Sequence, residues 1–329
     1  MKAIPRLKFA HLPTPIEALP RLSTKLNGPR LFIKRDDQTG LALGGNKTRK
    51  LEFLVAEAQS HGAKTLITAG AVQSNHCRQT AAAAARFGLE CIIVLYGSTP
   101  ARHSGNLLLD KLFGAEIIWA ERPARDTALE QTFKTAWEAG RRPYLIPYGG
   151  SNATGAAGYV FAIKELQAQI GRDNLLNAPP DWIIFPSSSG GTQAGMVAGT
   201  YVFNLPSKIL GISVDEKQAE LQHRVARLAE QTLDLLGESA RFSPKEIFVN
   251  ADYLGGGYGI LGEDERRAID LFARYEGIIL DPVYTGRAAS GMIDLILQGF
   301  FEKDANLLFW HTGGSPALFA EQYQQSLLV

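Results

Sequence analysis

The chain has 329 residues, too many for one small core and enough for two domains of ordinary size. Hydrophobic residues make up 45% and charged residues 20%, the balance of a water-soluble globular protein. Lys plus Arg number 34 against 33 Asp plus Glu, so no bulk field draws the chain to nucleic acid or to an anionic membrane.

Residues 5–26 read as a loop broken by Pro5, Pro13, Pro15 and Pro20, with a short helix near 17–26. The first fifteen residues hold no apolar core long enough for a signal peptide. Residues 31–35 form a strand, and 36–40 a polar turn. A Gly44-Gly45-Asn46-Lys47 loop then opens a helix to about residue 60, with Asn46 as its N-cap and Leu51, Leu54, Val55 and Ala58 on one face. The pattern repeats as strand 65–69, helix 75–87, strand 90–96, helix 104–113, strand 116–119, helix 126–139 and strand 144–146. A second series follows Gly149-Gly150-Ser151-Asn152. It runs through helix 153–170, strand 182–186, helix 192–203, strand 209–214, helix 216–236, strand 246–250, helix 263–275, strand 278–280, helix 286–298 and strand 306–310. Strands alternating with helices predict an α/β protein with parallel sheets, in two lobes that meet near residues 149–158. No apolar run approaches the length of a membrane span, and two cysteines exclude a disulfide framework. A cytoplasmic protein is the expectation.

Ligands of open α/β sheets bind at the carboxyl ends of the strands, so the loops there are the candidates. Lys47 falls in the first turn of a helix, where the partial positive charge of the helix end disfavours a cation. Something else must hold it or keep it neutral, and a neutral amine can attack a carbonyl. Ser187-Ser188-Ser189-Gly190-Gly191-Thr192 joins an apolar strand to a helix and offers backbone N–H groups and hydroxyls to an anion. It lacks a P-loop lysine, which points to the phosphate of a cofactor rather than one being transferred. Gln73-Ser74-Asn75-His76 supplies more polar side chains than one helix cap needs. Residues 255–262 contain a literal G-x-G-x-x-G, but too far beyond the preceding strand for a dinucleotide site; these glycines serve instead to bring Tyr258 to a flat ligand. Tyr284, Thr285, His311 and Thr312 complete the set with an aromatic face and neutral hydrogen-bonding groups. No histidine or cysteine spacing suggests a metal. A lysine, a phosphate cup, two tyrosines and neutral hydroxyls are what pyridoxal 5′-phosphate requires.

Specific motifs carry a family resemblance. They are Lys34-Arg35-Asp36-Asp37, Gly44-Gly45-Asn46-Lys47-Thr48-Arg49-Lys50-Leu51-Glu52, Gln73-Ser74-Asn75-His76, Tyr148-Gly149-Gly150-Ser151-Asn152, Asp281-Pro282-Val283-Tyr284 and His311-Thr312-Gly313-Gly314. Together they resemble the 1-aminocyclopropane-1-carboxylate deaminase/D-cysteine desulfhydrase family over about residues 5–320. The resemblance implies the tryptophan synthase β-like fold (fold type II of pyridoxal-phosphate enzymes): two domains of three-layer α/β/α architecture with open, twisted, mostly parallel sheets. It implies a large domain of residues 1–50 and 159–329, with residues 51–158 inserted as a small domain, and a homodimer. The family's imine-forming lysine falls on Lys47, and its substrate-carboxylate loop on Ser74, Asn75 and His76, with Ser74 also catalytic. Asn75 also falls on a cofactor contact, the phosphate cup on Ser189, Gly190, Gly191 and Thr192, and the group facing the pyridine nitrogen on Thr312. The catalytic tyrosines fall on Tyr258 and Tyr284, Tyr284 also meeting the substrate beside Thr285.

Family members that open the cyclopropane ring carry Glu and Leu where this chain has Thr285 and Thr312. A neutral hydroxyl near the ring nitrogen makes a weaker electron sink, which suffices when a good leaving group departs from the β-carbon. The resemblance therefore implies α,β-elimination from a small amino acid: D-cysteine to pyruvate, sulfide and ammonia. L-cysteate sulfo-lyase is the nearest alternative and ring-opening deamination the next. Outside these chemistries stands a catalytically silent small-molecule binder, against which an intact Lys47 argues.

Overall fold

A computed structural model describes residues 1–172 and 175–327. The chain enters through β1 (Ile16–Ala18), α1 (Pro20–Leu26) and β2 (Arg30–Arg35), then α2 (Lys47–Ser60). Next come β3 (Thr65–Ala71), α3 (Asn75–Arg86), β4 (Glu90–Tyr96), α4 (Gly105–Leu112), β5 (Glu116–Ala120), α5 (Arg125–Glu138) and β6 (Pro143–Leu145). These four strands make one parallel sheet in the order β5-β4-β3-β6. The chain continues through α6 (Ala153–Gln169), β7 (Trp182–Ser187), α7 (Gly191–Val202), β8 (Lys208–Ser213), α8 (Gln218–Leu235) and β9 (Val249–Asn250). It ends with α9 (Glu263–Glu276), α10 (Thr285–Leu297), β10 (Asn306–His311) and α11 (Glu321–Leu327). The larger sheet has the order β1-β2-β10-β7-β8-β9 and is parallel except for β1.

Successive side chains of a strand point to opposite faces, and the cores divide accordingly. Leu31, Ile33, Ile184, Leu210, Ile212, Leu307 and Phe309 bury against α1, α9 and α10. Their chain neighbours Phe32, Ile183, Phe185, Ile209, Leu308 and Trp310 bury on the other face, among residues of α6 and α7 such as Tyr159, Ile163 and Met196. Each fully buried aliphatic side chain stabilises this layer by roughly 1.5–3 kcal/mol. In the smaller sheet Leu66, Cys91, Ile93 and Leu95 face α2 and α3, whereas Ile67 and Ile92 meet α5 alone.

Three local expectations fail. Residues 16–18 pair with β2 as an edge strand instead of starting a helix, because Ile16 and Ala18 align with Lys34 and Phe32. Residues 278–280 form no strand. Gly277 ends α9 in a left-handed turn, the N–H of Ile278 bonds back to Phe272, and Ile278 and Leu280 drop into the core while the sheet's inner strands already have two neighbours each. Asn46 makes no side-chain cap for α2, since its amide is used elsewhere.

Candidate active site

The loops at the carboxyl ends of both sheets converge on a cleft. Asn46, Lys47, Asn75, His76, Tyr284 and Thr312 line it, together with Ser189, Gly190 and Thr192 of the glycine-rich turn.

The lysine loop is held by backbone geometry that only glycine accepts comfortably. Gly44 and Gly45 have φ of 69° and 125°, and a Cβ on Gly44 would collide with the Asp37 carbonyl. Gly45 N–H donates to Asp36 O at 2.9 Å, and Asn46 N–H donates to Thr312 O at 2.9 Å, which ties the loop to the end of β10. The Asn46 side chain reaches Thr192 Oγ1 at 3.1 Å. Lys47 is thereby placed at the cleft floor, where Nζ donates to Gly149 O at 3.3 Å. Among the described residues it has no carboxylate partner, and burial lowers its pKa to about 8.

One turn further along α2, Lys50 points the same way. Its Nζ donates to Gly149 O at 3.1 Å and to Ser151 Oγ at 3.2 Å, and it is buried. Burial, and then the Lys47 charge, hold its pKa well below that of an ordinary lysine. Ser151 Oγ also accepts the Gly191 N–H at 3.2 Å and lies 2.7 Å from Ser189 Oγ. A Cβ built on Gly191 would stand 2.9 Å from Lys50 Nζ. Lys50 therefore abuts the N-terminus of α7, the positive end of a helix. Two positive groups in contact are stable together when an anion lies between them. The cup's missing lysine thus comes from another segment. Its sequence signal was the three-residue spacing from Lys47, which puts both amines on one helix face.

In the loop after β3, Ser74 Oγ caps α3 by accepting the Cys77 N–H at 3.2 Å, and Ser74 does not line the cleft. Asn75 and His76 do. His76 Nε2 lies 2.9 Å from Thr68 Oγ1, whose single proton goes to Ile146 O at 2.9 Å. Nε2 must then carry the ring proton, leaving Nδ1 a bare acceptor, buried and without a partner among the described residues. Burial and the two lysines push the His76 pKa well down, so the ring is neutral.

Tyr284 and Tyr258 meet through their hydroxyls at 2.6 Å with rings crossed at 76°. Burial holds both pKa values well above that of free tyrosine. Tyr284 lines the cleft and Tyr258 stands behind it. The residue 255–261 loop is fixed by Arg287, which donates to Gly257 O at 3.1 Å and Ile260 O at 3.0 Å while pairing with Glu265. Thr285 is buried outside the cleft: Oγ1 donates to Asp281 Oδ1 and accepts the Asp281 N–H, both at 2.7 Å. It shapes the turn that presents Tyr284. Sequence reasoning missed Asn46, Lys50 and Tyr148 as parts of the site; Ser187, expected in the glycine-rich turn, borders the cleft with its buried hydroxyl, which has no partner among the described residues.

Residues 7–313 match the family described as pyridoxal-phosphate dependent enzyme. The chain belongs to that family. The enzyme is 45% identical over 322 residues to a D-cysteine desulfhydrase of Salmonella typhimurium, with 96% of each chain covered. A protein of the same description from Salmonella choleraesuis gives the same values. A solved structure described as an ACC deaminase homologue superposes with a TM-score of 0.89 at 37% identity, over 99% of this chain and 96% of that one. A fungal L-serine ammonia-lyase from Rhizomucor miehei shares the fold at a TM-score of 0.68 and 19% identity, covering 98% and 100%.

The residues of the enzyme fit the cofactor on their own chemistry. The Lys50 amine, which a bound anion would hold as an ammonium, the N-terminus of α7, the Ser189 and Thr192 hydroxyls and the orphaned Ser187 Oγ are a donor set for a phosphate dianion. Lys47 lies across the Gly149 carbonyl from that set, within reach of the same bound group. No helix among the described residues is long and apolar enough to cross a membrane.

Proposed function

We propose that the enzyme is a carbon–sulfur lyase that converts D-cysteine and water to pyruvate, sulfide and ammonia. The observation that carries this reading is Lys47, an amine at the cleft floor with a carbonyl for a partner and, among the described residues, no acid beside it. With its pKa lowered to about 8 by burial, about a tenth of it is neutral at pH 7, against well under a thousandth for a free lysine. The near-full-length identity to D-cysteine desulfhydrases supports the substrate.

Bound pyridoxal phosphate supplies an aldehyde for an amine and a ring that accepts electrons from the α-carbon. Lys47 Nζ acts as the base that removes the α-proton. Lys50, Ser189, Gly190, Gly191 and Thr192 hold the phosphate, and Thr312 meets the ring. Asn75 binds an anionic oxygen of the substrate carboxylate or of the cofactor ring, His76 accepts a substrate N–H at Nδ1, and Ser74, outside the cleft lining, caps the start of α3 that presents both. Tyr284, backed by Tyr258, keeps its proton because burial raises its pKa, and gives that proton to sulfur as the carbon–sulfur bond breaks. An L-cysteate reading would need a free cation near that sulfur. Arg125, 5.6 Å from the Tyr148 ring, is already engaged through two nitrogens with Asp126.

The family resemblance further supports a homodimer and the division into a large domain of residues 1–50 and 159–329 and a small domain of residues 51–158; the four-stranded sheet falls within the latter. Two free, buried cysteines support a reducing, cytoplasmic setting. The test is a panel of D-cysteine, L-cysteine, L-cysteate, D-serine and 1-aminocyclopropane-1-carboxylate on the purified, cofactor-loaded enzyme. Sulfide and pyruvate from D-cysteine well ahead of the others is the expected outcome. Sulfite from L-cysteate or 2-oxobutanoate from the cyclopropane at a higher rate overturns the substrate.

A further inference from the structure

Behind Asn75 lies a buried guanidinium with no acid bound to it. Arg78 is fully buried, and its hydrogen-bond acceptors are all neutral: Asn106 Oδ1 at 2.7 Å, Gly44 O at 2.8 Å and Asn75 Oδ1 at 3.0 Å. Among the described residues no carboxylate comes within ion-pairing distance of it. Asp110 is the nearer acid in effect, yet both its oxygens lack partners among the described residues and burial lifts its pKa to about 8, so it is largely protonated at neutral pH. Asp281 also acts on Arg78, but its carboxylate is consumed by the turn at residues 283–285. Burial lowers the Arg78 pKa only to about 10, so the guanidinium stays charged. A buried charge without a contact ion pair is costly, and it projects a positive potential across a low-dielectric interior.

The amide between Arg78 and the cleft has one orientation. Asn75 Oδ1 accepts from both Arg78 Nη1 and Asn106 Nδ2, each at 3.0 Å. Asn106 cannot turn over either. Its Nδ2 also donates to Gln73 O at 2.9 Å, its backbone N–H donates to Gln73 Oε1 at 2.8 Å, and its own oxygen takes the guanidinium. A flipped Asn75 would set its NH2 group against two donors. Its Nδ2 is thus turned away from Arg78 and toward the cleft that Asn75 lines.

We propose that Arg78 and Asn106 are positioning residues that lock Asn75 as a polarised hydrogen-bond donor to an anionic oxygen in the cleft. The inference rests on the cofactor reading above. That oxygen belongs either to the cofactor ring or to the substrate carboxylate, and the two sources separate experimentally.

Asn106→Asp keeps an acceptor for Arg78, cancels its charge and removes the donor to Asn75. Asn106→Ala removes the lock and leaves the charge. Both are measured as holoenzyme, by pH titration of the bound cofactor's visible absorbance and by KM and kcat for D-cysteine. If the oxygen is the cofactor's, losing a positive neighbour favours proton binding. The titration midpoint then rises by about one pH unit in Asn106→Asp and by less in Asn106→Ala. If it is the substrate's, the midpoint stays and KM rises about tenfold with kcat little changed. A midpoint and a KM both unmoved in Asn106→Asp overturn the proposal; should that variant not fold, the same null result in Asn106→Ala does so. Failure of the wild-type chain to acquire visible absorbance would instead overturn the cofactor reading itself.

Discussion

Two pairs of basic side chains lie a short distance apart, both drawing on α2, and they serve opposite ends. Near the carboxyl end of β2, Lys34 Nζ is saturated by Glu165 at 2.6 Å, Thr14 O at 2.6 Å and Gln169 at 2.7 Å. Beside it Arg49 makes paired contacts to Asp36 and Glu165, and Asp36 also receives the Tyr159 hydroxyl at 2.6 Å. At the cleft, Lys47 and Lys50 share one carbonyl and, among the described residues, have no acid. Burial lowers both Lys34 and Lys47, but Glu165 and Asp36 oppose the effect at Lys34 and nothing opposes it at Lys47. A buried lysine is read by its partners. Where carboxylates surround it the ammonium is a structural strut, and where they are withheld the amine is left for chemistry.

Lys47→Ala tests that contrast most severely. It should abolish the lysine-bound cofactor absorbance and cut turnover of D-cysteine by roughly 10³-fold or more, the scale of a lost acid–base group. Retained absorbance and turnover would contradict its role. Next comes Glu165→Ala, which leaves Lys34 unpaired and Arg49 half-paired in the interior. Removing one member of such a network should cost about 3–5 kcal/mol in denaturant unfolding, with KM of the folded enzyme nearly unchanged. A smaller effect is expected for Lys50→Met, where loss of a charge-assisted contact should weaken cofactor retention about 10–100-fold by fluorescence titration while kcat at saturating cofactor changes less. The smallest is a matter of pH. Because burial lowers the Lys47 pKa, the neutral amine predominates above about pH 8, not above that of free lysine at 10.5. The rate at which cofactor-free chain captures pyridoxal phosphate should rise about tenfold per unit below that point and level off above it. A rate still climbing through pH 10 would place Lys47 among ordinary lysines.

Much of the site was legible because its signals are local. Glycines beside Lys47, hydroxyls before α7 and polar residues before α3 mark strand-to-helix turns whatever the rest of the chain does. What failed did so for tertiary reasons. Residues 278–280 have a strand's composition, but after the turn at Gly277 both Ile278 and Leu280 drop into the core instead of joining a sheet edge. Asn46 has a cap's composition, yet Thr192 captures its amide from 146 positions away. Thr285 looked like a substrate contact, but its hydroxyl is spent on Asp281.

The sequence by itself determined the alternation of strands and helices, most of their bounds to within a residue or two, the α/β architecture and the lysine at the start of α2, since periodicity and turn chemistry act over a few residues. The tertiary structure alone decided which amines would lack acids among the described residues, that Lys50 would lie beside the glycine-rich turn, and that Arg78 would stand behind Asn75. Those outcomes depend on sheet order and on contacts between segments about 30 to 150 residues apart, and a side chain's charge and protonation state are set by what surrounds it in space.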